Sequence, residues 1–285
     1  MSEDFQFIRY EGVTSGVARI VLARPDKRNA QNKTMLYELN DALDLAAHDD
    51  DCRVIVLAAD GPDFSSGHDM KDREPMDHKP IGTWGGFRQP GVEGHWAYEE
   101  ELYLGLCWRW RNIPKPTMVE VQGRVIAGGL MLVWPFDIII ASTDARFSDP
   151  VVAFGVNGVE YFAHPWEVGV RKAKEMLFTG EAITAEEAKS LGMVNHVVER
   201  EELTEFTMKM AQHIAKQPMM GLKLAKQSVN QMQDTQGLWP ALQGAMSLQH
   251  MGHAHERLVH NMAVEPTGGE KIKKQAKKKQ SNQFD

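Results

Sequence analysis

The chain has 285 residues, of which 42% are hydrophobic and 25% are charged, the balance of an ordinary folded protein and not of a disordered or membrane chain. Its net charge of -7 argues against extensive nucleic-acid binding, because phosphate backbones attract basic surfaces. Two cysteines are too few for a disulfide framework, and the acidic first ten residues do not have the pattern of a signal peptide, so the sequence predicts a reducing, cytoplasmic location.

Strands and helices are predicted in alternation along the first two hundred residues. A hairpin turns at 14–16, an amphipathic helix follows over 33–48, and the apolar run at 53–61 has the form of a strand buried on both faces. A long polar loop is expected over 71–94, before a helix at 93–112 whose aromatic side chains favour a place in the core or at an interface. This alternation predicts α/β layers with right-handed crossovers and a site at the carboxyl ends of strands.

The stretch from Val121 to Ser142 joins a strand, a pair of glycines and a helix. Gly128 and Gly129 fall where the loop becomes the helix, so their N–H groups lack partners and lie at the positive end of the helix dipole. Donors in this position can bind a developing oxyanion. On this stretch alone, close packing of the helix against a neighbour accounts for the glycines equally well.

The last third of the chain is mainly helical in pattern. Thr184 and Glu187 have the spacing of a capping box, and three long helices are expected between 201 and 262. Six lysines follow within 271–279, with almost no apolar residues, which is typical of a disordered segment. The predicted divisions are a core at 1–200, a helical subdomain at 201–263 and a lysine-rich disordered tail at 264–285.

Five segments together carry a resemblance to a known family. They are RPDKRNAQ, VIVLAADGPDFSSGHDM, PKPTMVEVQGRVIAGGLMLVWPFDIIIAS, ARFSDP and TGEAITAEEAKSLGMVNHVV. In this order they resemble the crotonase, or enoyl-CoA hydratase/isomerase, superfamily over residues 5–262. The resemblance implies an α/β fold, a crotonase-like spiral of ββα units with a helical C-terminal subdomain, assembled as trimers or hexamers. It also implies an acyl-CoA substrate, no separate cofactor because coenzyme A is part of the substrate, and no nucleic-acid or membrane partner.

By the same resemblance, two main-chain N–H groups form an oxyanion hole. One belongs to His68, which follows Gly67 in FSSGHD, and the other belongs to Gly128. They would stabilise the charge that grows on the thioester oxygen when a proton leaves the α carbon or water adds at the β carbon. Losing one such donor costs about 3–4 kcal/mol of transition-state stabilisation. The alternative for FSSGHD is a surface turn in which Asp69 caps a helix.

The coenzyme A moiety is expected, again from the resemblance, along two short segments and their basic side chains. Cations suit its phosphates, although lysine is also a common surface residue. The expected binding residues are Lys27, Arg28, Ala30, Ser66, Asp69, Met70 and Lys71.

Two positions depart from the family pattern. Hydratases of the family use two glutamates as general acid and base, and these positions fall on Met131 and Val151 here. Neither side chain exchanges a proton, so the two-carboxylate hydration mechanism does not carry over. The acid–base candidates nearby are Asp149, Glu160 and His164.

Glu160 leads this group because a carboxylate in apolar surroundings can act as an acid. The alternative is that Glu160 and Glu167 pair with Arg171 or Lys172 at a subunit contact. His68 and Asp69 form a second candidate acid–base pair beside the predicted oxyanion hole.

No metal site is predicted. The histidines His250, His253, His255 and His260 lack the spacing of a zinc signature.

The sequence therefore predicts an enoyl-CoA hydratase or isomerase, a lyase or isomerase of the kind used in fatty-acid metabolism. Double-bond isomerisation, decarboxylation and thioester hydrolysis all use such an oxyanion hole and place their proton-transfer groups differently. A non-catalytic acyl-CoA-binding protein is the alternative from another class.

Overall fold

The computed structural model describes residues 5–72 and 78–278, and within them a twisted sheet forms the centre of the core. Its strand order is β1-β2-β3-β4-β6-β9, and a smaller sheet has the order β5-β7-β8. The strands are β1 (Ile8–Thr14), β2 (Val17–Leu22), β3 (Val54–Ala59), β4 (Thr117–Val121), β5 (Arg124–Ile126), β6 (Ile138–Ser142), β7 (Arg146–Ser148), β8 (Ile183–Thr184) and β9 (His196–Val198). β1 and β2 are antiparallel, as the predicted hairpin requires, and the strands from β2 to β9 in the larger sheet are parallel.

Helices cover the sheet and build the C-terminal part. They are α1 (Lys33–His48), α2 (Val92–Glu99), α3 (Leu106–Arg111), α4 (His164–Val168), α5 (Val170–Thr179), α6 (Ala185–Ser190), α7 (Leu203–Ile214), α8 (Met219–Thr235), α9 (Leu238–His260) and α10 (Gly268–Lys278). A π-helical turn at Glu100–Gly105 joins α2 to α3, so the predicted aromatic helix is nearly continuous. The mixture of a parallel sheet, covering helices and a helical C-terminal region confirms the predicted fold class.

Local sequence signals explain several of these boundaries. The side chain of Asn32 accepts a hydrogen bond from Met35 N and caps α1, and Thr184 caps α6 by accepting from Glu187 N as the capping box predicts. Leu39 and Leu43 are fully buried on the inner face of α1, which holds this helix on the sheet.

Two segments differ from their prediction. The helix expected after the glycine pair is only a short 3₁₀ segment, Ala127–Leu132, because the chain turns into β6 soon after it. Part of the predicted disordered tail forms α10, whose start packs on Phe154 and whose Ile272 reaches a cavity in the core. Residues 279–285, like 73–77 of the predicted long loop, lie outside the described residues.

None of the helices in the described part of the chain is both long enough and apolar enough to cross a membrane.

Candidate active site

A short β-bridge sets the direction of the His68 main chain. Gln31 N donates to the carbonyl of Gly67 and Asp69 N donates to the carbonyl of Gln31, both at 2.8 Å. Because a parallel bridge uses the groups on either side of its central residue, the N–H of His68 itself is directed to the opposite side.

Gly128 lies against this bridge. It is the second residue of the 3₁₀ segment, so its N–H belongs to the first turn, which has no acceptor within the helix. Gly67 has φ +86°, and a Cβ there would lie 2.7 Å from the carbonyl of Ile126 and 3.1 Å from Gly128 N. A Cβ on Gly128 would lie 2.6 Å from Cε1 of His68. Both positions therefore require glycine because backbone and ring approach closely, and the structure brings together the two predicted oxyanion donors.

A cavity of about 480 Å³ opens beside these donors. It takes its walls from the His68 loop, the α2 region, the segment after Pro150 and α9. The polar side chains that line it are Ser66, His68, Asp69, Asp72, His95, Tyr98, Glu99, Tyr103, Glu160, Gln249 and His253.

Within the cavity, the side chain of His68 pairs with Glu160. Nε2 of His68 lies 3.1 Å from Oε2 of Glu160, and the imidazole stacks on Tyr103 with ring centroids 3.9 Å apart. Burial lowers the pKa of His68, but the charge and hydrogen bond of Glu160, with the charges of Glu99 and Asp149, together outweigh it, so the pKa is raised overall. The predicted His68–Asp69 pair is wrong as a side-chain pair, because Asp69 forms an ion pair with Arg24 at 2.8 Å.

Glu160 is held by both of its oxygens. Gln249 Nε2 on α9 donates to Oε1 at 2.9 Å, while His68 occupies Oε2. The carboxylate is 5% exposed, so it reaches the cavity but little bulk water. Within the chain, Lys172 pairs with Glu187 and Glu175, and the alternative pairing of Glu160 and Glu167 with Arg171 or Lys172 at a subunit contact stays a prediction.

Asp149 and His164 form a second histidine–carboxylate pair, but neither side chain lines the cavity. His164 Nε2 donates to Oδ2 of Asp149 at 2.8 Å, and both residues are 0% exposed. Asp149 also accepts hydrogen bonds from Val159 N and Val151 N. The prediction that these two residues are acid–base candidates is corrected by this burial: the pair ties together the two ends of the segment that carries Glu160.

The predicted coenzyme A residues lie together beside the cavity. Ser66 N donates to the carbonyl of Arg28, which joins the two predicted segments, and the side chains of Lys27 and Arg28 are exposed. Ser66, Asp69 and Met70 line the cavity, while Ala30 accepts from Arg24 through its carbonyl and Lys71 is exposed.

Apolar side chains occupy the two positions that the resemblance assigns to hydratase glutamates. Val151 lines the cavity. Met131 is 1% exposed and lies in the main core. Its carbonyl accepts a hydrogen bond from the Cys107 thiol.

A second polar group on the cavity wall was not predicted. Glu99, on α2, is 4% exposed and is surrounded by His95, His250 and His253. Burial alone would raise the pKa of Glu99, but the three histidines hold it well below its usual range. The spacings His95–Glu99 and His250–His253, each one helical turn, were available in the sequence. Nothing in the sequence placed α2 against α9.

With this geometry established, comparison with known proteins identifies the family. The family model described as "Enoyl-CoA hydratase/isomerase" matches residues 12–258. The chain belongs to this family. A family member from Mycobacterium tuberculosis, called "Putative enoyl-CoA hydratase EchA13", is 45% identical over 261 residues, which are 88% of this chain and 82% of that protein.

Two further family members bear on fold and chemistry. The crystal structure of a probable enoyl-CoA hydratase from Mycobacterium smegmatis matches with a TM-score of 0.83 and 46% identity, covering 91% of this chain and 99% of that one. The 1,2-epoxyphenylacetyl-CoA isomerase of Escherichia coli is 30% identical over 223 residues, 76% of this chain and 80% of that protein.

Proposed function

We propose that this member of the enoyl-CoA hydratase/isomerase family is an acyl-CoA enzyme that moves a proton at the α carbon of a thioester. The N–H groups of His68 and Gly128 bind the thioester oxygen, and Glu160 takes and returns the proton. The observation that supports this proposal is a cavity lined by both His68 and Glu160, in which the Glu160 carboxylate is held through both oxygens and beside which Gly128 approaches the His68 ring.

The chemistry follows from where charge develops. When Glu160 removes a proton from the α carbon, the electron pair moves into the carbonyl and leaves negative charge on its oxygen, facing the two N–H donors. Return of the proton to the γ carbon shifts a β,γ double bond to the α,β position, with atoms and charge in balance. One base is sufficient for this isomerisation, whereas hydration by the family mechanism needs a second ionisable group where Val151 stands.

Double-bond isomerisation of an enoyl-CoA is therefore the reaction that these residues support best. An isomerase acting on another CoA thioester among the relatives supports this reaction class. His68 and Gln249 act as positioning residues, because their hydrogen bonds fix both oxygens of Glu160.

Self-association into a trimer or hexamer is part of the proposal. A row of exposed apolar side chains runs along the outer part of α9 and just beyond it, at helical spacing: Leu248, Met251, Leu258, Val259 and Met262. A cytoplasmic location and the absence of a separate cofactor stay predictions from the sequence.

The test is Glu160→Gln, which keeps the size of the side chain and removes its basicity. We expect conversion of a 3-enoyl-CoA to the conjugated 2-enoyl-CoA, followed by ultraviolet absorbance, to fall about 10²–10⁴-fold in kcat. Binding of the thioester should remain near wild type, because the oxyanion donors are intact. Glu93→Gln, at an exposed site on the same protein, is the matched control.

Three results would count against parts of this proposal. Undiminished turnover by the Glu160→Gln variant would remove Glu160 as the base. Hydration of crotonyl-CoA at a comparable rate would favour a hydratase. Binding of enoyl-, 3-enoyl- and malonyl-CoA without any turnover would favour a non-catalytic acyl-CoA-binding protein.

A further inference from the structure

The buried group around Glu99 has the composition and spacing of a metal site. Nε2 of His95 and Nε2 of His253 lie 2.9 and 3.4 Å from Oε1 of Glu99, and Nε2 of His250 lies 3.2 Å from Oε2. The ligand atoms of His95, Glu99 and His253 all fall within 4.8 Å of one another. Ligands in a tetrahedral zinc site with bonds of about 2.0–2.1 Å are separated by roughly 3.3 Å, so this group is already near the required size.

Hydrogen bonding determines which ring nitrogen of His253 carries a proton. Its Nδ1 lies 2.6 Å from the carbonyl of Ala263, which can only accept, so Nδ1 carries a proton. A neutral ring then has its lone pair on Nε2, on the side of Glu99. A ligating histidine whose other nitrogen donates to a carbonyl is the usual arrangement in metal sites.

Three ring nitrogens of the two buried histidines on α9 lack hydrogen-bond partners within the described residues. His250 is 2% exposed, and neither of its ring nitrogens has a hydrogen-bond partner within the described residues. Nε2 of His253, which is 4% exposed, likewise has none there. Both Nε2 atoms approach Glu99 without the geometry of a hydrogen bond. Buried polar atoms of this kind need an explanation, and a bound cation supplies one.

We propose that His95, Glu99 and His253 bind one divalent transition-metal ion, with zinc as the best match, and that His250 lies beside the ion. Imidazole nitrogens and a carboxylate are ligands that zinc accepts, and three protein ligands leave the fourth tetrahedral position to water. The ion ties α2 to α9. These two helices supply His95, Glu99, Gln249 and His253 to the wall of the cavity, so the ion stabilises the wall that positions Glu160.

Arg257 gives the site a second, testable feature. Its Nη2 donates to Nδ1 of His95 at 2.8 Å, which places the proton of that ring on Nε2. Metal binding by Nε2 moves the proton to Nδ1, so Arg257 must turn away. The arginine therefore opposes binding by His95, and a side chain with an acceptor at this position should strengthen it.

The experiment uses the full chain without substrate, so that its outcome is independent of the proposed reaction. Purified protein is stripped with a chelator, dialysed and titrated with Zn²⁺ by calorimetry, and bound metal is counted by elemental analysis. We expect one zinc per chain and a Tm that rises with the concentration of free zinc. Co²⁺ in place of zinc should give the visible absorption of a tetrahedral site.

His253→Ala and Glu99→Gln should each weaken zinc binding more than about 100-fold, since even the partners behind metal ligands are worth 10–100-fold. His255→Ala changes an exposed histidine on the same helix and should leave binding unchanged. Arg257→Gln should strengthen binding about 10-fold, a gain that a misfolded variant would not show. The circular dichroism spectrum of each metal-free variant checks that it is folded.

Zinc binding that is equally weak in the wild type, the His253→Ala variant and the His255→Ala variant would overturn the proposal. The cluster would then be an ion-pair network around Glu99. Unchanged zinc affinity in Arg257→Gln, with the other results as expected, would remove His95 from the ligand set and, with it, the group of three ligands on which the proposal rests.

Discussion

Two histidine–carboxylate pairs lie within the same part of this molecule, and they differ in what surrounds them. His68 and Glu160 meet at 3.1 Å on the wall of the cavity, with side chains 20% and 6% exposed. His164 and Asp149 meet at 2.8 Å with no exposure at all. Asp149 also accepts hydrogen bonds from main-chain N–H groups, whereas the hydrogen-bond partners of Glu160 among the described residues are side chains.

The pairing of a histidine with a carboxylate does not by itself decide the role of either residue. A pair sealed in the core has no access to substrate, so its hydrogen bonds can serve only to order the chain. A pair at a cavity can exchange a proton with a bound molecule. The buried pair, Asp149 and His164, orders the segment that carries Glu160. Glu160 is the carboxylate of the pair at the cavity.

Asp149→Ala should give the largest effect, on stability. The substitution leaves a fully buried histidine and two main-chain N–H groups without their acceptor, and breaking a buried pair in this way costs about 3–5 kcal/mol of the free energy of unfolding. Chemical denaturation measures it. Asp60→Ala is the matched control, because its exposed ion pair with Arg9 is worth about 0–1 kcal/mol.

The opposite order of stability losses would contradict a purely structural role for Asp149 and His164. If Asp149→Ala lowers the free energy of unfolding less than Asp60→Ala does, and turnover is abolished, the buried pair belongs to the catalytic machinery.

Gly128→Ala should give the next largest effect, on catalysis. The new Cβ would lie 2.6 Å from the ring of His68, so the ring, the oxyanion donors or both must shift. We expect kcat to fall about 10²–10³-fold, the loss typical of one oxyanion donor. Gly221→Ala, where a Cβ meets nothing within 4 Å, is the control and should keep wild-type turnover. Unchanged kcat in both variants would show that Gly128 serves packing only.

The smallest expected effect is on the pH dependence of stability, and it tests whether His68 is charged in its pair with Glu160. The pKa of His68 is raised in the folded protein, so its charged form contributes stability that is complete below the ordinary histidine value of about 6.5 and is lost as the pH rises through the folded value. The difference in unfolding free energy between wild type and Glu160→Gln should therefore shrink as the pH is raised above the ordinary histidine value of about 6.5. Denaturant titrations at several pH values measure this trend. A difference that stays constant would mean that His68 is neutral throughout.

Several features of the fold and the site were predictable from the sequence because their causes are local. The hairpin, α1 and the cap at Thr184 follow from turn residues, apolar periodicity and capping chemistry. The family followed from motifs in a fixed order, and the family match confirms it. The glycines of the two segments carried a local signal too, since only glycine permits such close approach.

The partners of Glu160 and Glu99 were decided only by the tertiary structure. His68 lies 92 residues from Glu160 and Gln249 lies 89 residues from it, and no periodicity within a segment encodes contacts across such separations. The same packing sealed Asp149 and His164 in the core and set the histidines of α9 around a carboxylate on α2. The sequence by itself determined which groups this protein has and which segments carry them. The tertiary structure decided which groups meet and which reach the cavity, because burial and proximity arise only when separate elements pack together.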